Sequence, residues 1–312
     1  MATSRAQDAR AFSSTRRLDG ISIRQRLSYY SRSRILVEPL LWTELHLDLL
    51  GCDFTRPSPA PPDIIMKLEY PGDDRRLRSF KSEFCPEYGN REGGMRALLG
   101  GSEVPLQWFM HLEMRFGDYP GIILPCSYFC LRNECTDDAR PVPPPPIVAH
   151  VDQGHIAFMR KRKIQSLYGR SARYNRPGAK LASLRLKRLV PTEPLREPYL
   201  VAVLIALAQQ QWRTLGPATI KRVSAVRSKL LYTSVGPGGN ALHLYSTTVS
   251  STFLAMVDNV AFVPPTPQSL LIQLTAIPFE PLDTLRDRLM ALILEAPSLE
   301  AVGNSRDLVA CP

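Results

Sequence analysis

The amino-acid sequence predicts an α/β protein: a mixed β-sheet with helices packed on it and one helix buried at its centre. Three observations carry this expectation. Tyr199 to Ala208 are ten consecutive apolar residues. Apolar residues alternate with polar ones at 42–49, 106–116 and 270–274. Proline and glycine clusters (56–62, 141–146, 236–240, 264–267) separate these stretches and cannot lie inside helices or central strands. An α+β arrangement fits the same pattern.

In chain order, residues 1–34 hold eight Arg against Asp8 and Asp19 and lack sustained apolar periodicity, which predicts a disordered, solvated tail. An Arg- and Ser-rich, acid-poor start also fits a mitochondrial transit peptide. From Trp42, Thr43, Leu45, Leu47 and Leu49 alternate with Glu44, His46 and Asp48, which predicts a half-buried strand. Asp63 to Tyr70 predicts a second strand, and 73–101 a loop with a short helix near Met95 to Leu99. Leu106, Trp108, Met110, Leu112, Met114 and Phe116 then alternate with polar residues, Phe109 being the one misfit. Short strands are expected at Gly121 to Leu124 and Ile147 to Val151, a basic helix at Ile156 to Tyr168, and a connector from Arg170 to Leu195.

Pro198 suits the first position of the apolar helix and Gly216 the left-handed residue beyond its end. A helix apolar on all sides must be covered on all sides. The run is too short for the roughly 20 residues that cross a bilayer, so no membrane span is expected. Arg227 to Val235 and Ala241 to Val249 form a hairpin pattern around the 236–240 turn. Ser250 or Ser251 can cap a short helix, Leu270 to Ile277 is a strand, and Thr284 to Leu294 is an amphipathic helix. The expected organisation is a tail (1–34), a sheet-rich lobe (35–151), a basic connector (152–195), a C-terminal α/β lobe (196–296) and a second tail (297–312).

Six cysteines in 312 residues, with no secretory signal, point to a reduced intracellular protein. The net charge of +10 is concentrated. Between Gln153 and Pro191 stand Arg160, Lys161, Arg162, Lys163, Arg170, Arg173, Arg176, Lys180, Arg185, Lys187 and Arg188, with no acid. Such a segment, interleaved with Tyr168 and Tyr174, can neutralise phosphates and stack on bases. A solvated loop, or a face that docks on acidic protein surface, carries the same composition. The Arg160 to Lys163 run also resembles a nuclear import signal.

Candidate chemistry is sparser. Glu44, His46 and Asp48 on one strand face have metal-ligand spacing. The glycine-rich 236–240 turn has a strand on both sides, where a phosphate loop would lead into a helix. His111-Leu112-Glu113 followed by Pro125-Cys126-Ser127-Tyr128-Phe129-Cys130 resembles zinc nucleobase deaminases, whose signature is H-x-E then P-C-x-x-C. That resemblance implies zinc held by His111, Cys126 and Cys130, with Glu113 as acid/base and Cys135 as a further thiolate. The cysteine spacing here is three residues where the family has two. The order helix, hairpin, helix, strand in the C-terminal part is similar to the core of restriction-endonuclease-like folds, although the hairpin lacks their acid and E-x-K. Residues 198–294, from PYLVAVLIALAQ to LIQLTAIPFEPLDTLRDRL, are similar to uncharacterised, lineage-restricted proteins of filamentous fungi that have no assigned activity, which implies a compact C-terminal unit and nothing about chemistry. The expectation is a non-enzymatic protein without cofactor that binds a polyanion, nucleic acid, through 153–191. A zinc hydrolase and a protein-interaction module are the alternatives, and the nucleus is favoured over the mitochondrion.

Overall fold

The buried helix and the sheet strands it covers both emerge as the sequence predicts, in a computed structural model that describes residues 20–28, 36–61, 91–101, 104–117, 119–132, 144–168, 175–216, 219, 222–236 and 239–294. The strand expected at 63–70, most of the 73–101 segment, Cys135 and the C-terminal tail lie outside the described residues. The elements run α1 (Ile23–Ser28), α2 (Glu44–Leu50), β1 (Cys52–Phe54), β2 (Ser58–Pro59), α3 (Arg91–Leu99), β3 (Leu106–Phe116), β4 (Tyr119–Leu131), β5 (Pro146–Asp152) and α4 (Gln153–Tyr168). They continue α5 (Arg176–Leu189), α6 (Pro198–Thr214), β6 (Ala225–Gly236), β7 (Gly239–Ser250), α7 (Ser251–Asp258), β8 (Leu270–Ile277) and α8 (Leu285–Leu294).

The strands form one mixed sheet in the order β1-β8-β7-β6-β5-β4-β3, with β2 also beside β8. Strands β3, β4 and β5 pair antiparallel, as do β6, β7 and β8. The two groups meet at the parallel pair β5–β6. Parallel neighbours need a long crossover, and α4, α5 and α6 supply it.

Helix α6 lies across one face of the sheet, and every residue from Tyr199 to Ala208 is fully buried. Pro198 occupies its first turn, as predicted, and the Glu197 carboxylate accepts from the Tyr199 N–H at 3.0 Å. At the other end Gln209 lies against strand β3. Its amide accepts from the Arg115 N–H at 3.0 Å and donates to the Arg115 carbonyl at 2.8 Å. The predicted left-handed Gly216 is a correction: the helix ends at Thr214 with Leu215 extended, and Gly216 has no positive φ.

The opposite sheet face carries α3 and α8 over Leu106, Phe129, Val148, Leu231, Leu242 and Ile277. There Lys229 of β6 is buried, and its Nζ donates to the carbonyls of Leu292 and Ile293 at 2.7 and 2.8 Å. A cation so placed satisfies the last carbonyls of α8 and the negative end of its dipole.

Four further expectations change. Residues 44–50 are helical, not a strand. The Thr43 N–H donates to His46 Nδ1 at 2.9 Å in a capping box, and Gly51 closes the helix at φ 65°. Trp42, His46, Leu47, Leu49 and Leu50 are its buried side, a spacing that fits a helix better than alternation. Part of the expected N-terminal tail is folded: Ser22 and Gln25 exchange backbone-to-side-chain bonds, Ile23 enters the core, and Arg26 donates to the Leu49 carbonyl at 2.6 Å. Within the expected connector, Asn175 accepts from the Gly178 N–H at 2.8 Å and Pro177 sits in the first turn, which starts helix α5.

Strand β3 forms as expected, but its alternation does not mark one face. His111 has φ 68°, and the register with β4 shifts between Met110 and Leu112. Phe109, Leu112 and Met114 therefore face α6, whereas Leu106 faces the α3 side. The misfit Phe109 belongs to the α6 core, where it stacks on Tyr128 at 5.4 Å.

Candidate functional site

Helices α4 and α5 pack against each other through Ile164, Ala182 and Leu189, with Tyr168, Leu186 and Leu41 around them. On α4 the buried residues are Ile156, Arg160 and Ile164, one stripe at intervals of four. On α5 they are Gly178, Ala182 and Leu189. Met159, Tyr168 and Leu186 are half-buried beside them, and most of the basic residues stand on the exposed remainder. Lys161, Arg162, Arg176, Lys180, Arg185, Lys187 and Arg188 are exposed. None of the seven forms an ion pair with a carboxylate among the described residues.

The remaining basic residues differ. Arg160 is a correction: it is buried, its guanidinium meets the Glu197 carboxylate in two bonds of 2.6 and 2.7 Å, and its Nε donates to the Leu40 carbonyl at 2.9 Å. The same Glu197 caps α6, so this pair fixes α4 to the start of the central helix. Lys163 is half-buried and pairs with Glu38 at 2.8 Å. The Arg160 to Lys163 run is thus divided, with Lys161 and Arg162 outward. Arg170, Arg173 and Tyr174 lie outside the described residues.

Between α4, α5 and the segment 190–197 runs a groove of about 400 Å³. Ile156, Leu186, Val190, Pro194 and Tyr232 give it a largely apolar lining, the paired Arg160 and Glu197 also border it, and Lys161 and Lys187 stand on its two helical walls. On another side of α4, Phe158 is 56% exposed, with the Arg162 guanidinium 5.6 Å from its ring centroid.

The residues of the deaminase-like pattern are distributed differently from what a shared zinc requires. His111 and Glu113 are exposed on β3, whereas Cys126 and Cys130 are buried on the β4 face that meets α6. Burial pushes the Cys130 thiol up to about 12, and burial with the nearby Glu92 charge pushes Cys126 up as well. Glu44 and Asp48 are exposed on α2, while His46 is buried and stacked on Trp42 at 5.4 Å. No group of three His, Cys, Asp or Glu suited to a metal occurs among the described residues.

A buried polar cluster beneath α3 escaped the sequence reading. Glu92 accepts from the Ser127 hydroxyl at 2.7 Å and from the Asp152 N–H at 3.0 Å, and its Oε2 lies 3.4 Å from His150 Nδ1. Asp152 accepts from Arg91 at 3.1 Å and from the Thr233 hydroxyl at 2.9 Å, and its other oxygen caps α4 by accepting from Gly154 and His155. His150 Nε2 lies 3.2 Å from Thr233 Oγ1. Burial pushes the Glu92 carboxyl up, but His150, the Ser127 hydroxyl and His155 together outweigh it and hold the group below its usual range. The residues come from α3, β4, β5 and β6, so no local spacing announces them. One signal was present: His150 and Asp152 are polar at alternate positions of the otherwise apolar strand PIVAHVD. With both carboxylates partnered, the cluster ties α3 to the sheet.

Neither a protein-family model, nor a curated protein, nor a solved structure matches this chain. No helix among the described residues is long and apolar enough to cross a membrane.

Proposed function

We propose that this is a non-enzymatic binding protein that engages a polyanion, nucleic acid, through the outer faces of α4 and α5. The observation that carries the reading is the set of seven exposed cations, held on two packed helices, without ion-pair partners among the described carboxylates. A basic segment that served the protein's own acidic surface would be consumed by internal pairs, as Arg160 and Lys163 are. Phosphates neutralised by such a face release condensed counterions, so affinity falls steeply with salt. Contact by all seven would give a log–log slope near about −6 on a duplex and about −5 on a single strand.

The test is oligonucleotide binding across a salt series, comparing the protein with a variant carrying Gln at the seven exposed positions and Arg160 retained. A steep slope that flattens in the variant is expected. No binding by either protein near physiological salt would overturn the proposal.

A further inference from the structure

We propose that the nucleic acid bound is single-stranded, with an unpaired base seated in the groove between α4 and α5 and the adjoining phosphates on Lys161 and Lys187. This rests on the reading above and narrows it. A uniformly cationic face would suit any polyanion. Here the centre of the face is recessed and largely apolar, its one carboxylate, Glu197, already paired with Arg160, and one lysine stands on each wall. About 400 Å³ is at the lower end of the roughly 300–1,000 Å³ range of small-molecule sites, which suits a single planar ring system with part of its sugar. In a duplex the bases are stacked and paired, so nothing apolar can enter such a recess. A single strand offers both a base and flanking phosphates at once, the combination used by stacking platforms lined with cations.

The arrangement of α5 argues against a lipid surface as the occupant. An interfacial helix segregates its apolar and charged faces. On α5 the exposed Leu184 lies in the same helical row as Lys180 and Lys187, and the exposed Leu181 in the row of Arg185 and Arg188. Cations interrupt both rows, so no apolar stripe is left to enter a bilayer.

The experiment measures fluorescence anisotropy of the full chain with labelled oligonucleotides of one mixed sequence, single-stranded or duplex, longer than the roughly 4–16 nucleotides such a site covers. Ser183→Trp fills the groove from the α5 wall, and Ala157→Trp fills it from the α4 wall. Both positions are exposed, and unchanged thermal melting verifies that each variant is folded. Single-strand binding about tenfold tighter than duplex binding, lost in both Trp variants with duplex affinity unchanged, is the expected result. Equal affinity for the two forms, indifferent to both Trp variants, overturns the seated base while leaving the cationic face in place. Binding to anionic phospholipid vesicles with none to either oligonucleotide overturns this inference and the proposed function together.

Discussion

Helices α5 and α6 follow one another in the chain, yet they are opposite in what determines their residues. In α6 every position from Tyr199 to Ala208 is enclosed, so packing against the sheet and the surrounding helices fixes each side chain. In α5 only Gly178, Ala182 and Leu189 are buried. The fold asks that the other positions be soluble, but it does not ask for one sign of charge. The excess of Arg176, Lys180, Arg185, Lys187 and Arg188 with no acid is therefore not dictated by packing, and it is the feature on which the proposed binding rests. Composition explained by burial is tested by stability, and composition that burial leaves unexplained is tested by binding.

This contrast can be broken most directly where the two regions are joined. Glu197→Ala leaves the Arg160 guanidinium buried without its carboxylate and α6 without its cap. We expect a loss of about 3–5 kcal/mol in urea unfolding, with part of it recovered when Arg160→Met is added. A loss under about 1 kcal/mol would show that α4 is not anchored through this pair.

The polar cluster gives a smaller effect with a pH signature. Glu92→Gln should cost about 1–3 kcal/mol near neutral pH through the bonds to Ser127 and the Asp152 N–H and the charge contact with His150. The folded-state carboxyl of Glu92 is held below its unfolded value of about 4.3. Its contribution is present above that pH and is lost as pH falls through the lower, folded value. The wild-type and Gln proteins should therefore converge in stability on acidification. A gap that stays constant down to acid pH would remove the carboxylate from the account.

The smallest expected effect sharpens the comparison from the other side. Lys180→Gln with Arg185→Gln should change unfolding free energy by no more than about 0.5 kcal/mol, while reducing the salt slope of nucleic-acid binding by about 1 for each phosphate contact removed. Marked destabilisation would mean that these cations are structural after all.

What the sequence disclosed follows the same division. The apolar helix, the hairpin β6–β7, the Ser250 cap and strand β8 were legible because each is set by local pattern. Ser250 accepts from the Phe253 N–H at 3.0 Å, as its position predicts. Residues 42–49 were misread because Leu45, Leu47 and Leu49 alternate by chance of spacing, whereas the Thr43–His46 cap and Gly51 are what decide the helix. In β3, a backbone feature at His111 switches which parity faces α6, and no apolar pattern encodes that. The basic residues were legible as a group, but their roles were not. Arg160 became structural only because Glu197, 37 positions later, returns to meet it. The groove, too, depends on how α5 and 190–197 are brought beside α4.

The amide of Gln209 has one more implication. By meeting both the N–H and the carbonyl of Arg115, it serves the residue that the register shift between Met114 and Phe116 leaves without a partner on β4. Backbone groups stranded at such an irregularity cost free energy unless something else bonds them. One side chain from the central helix therefore mends the ladder where β3 departs from register, so α6 completes the sheet's own bonding as well as its core.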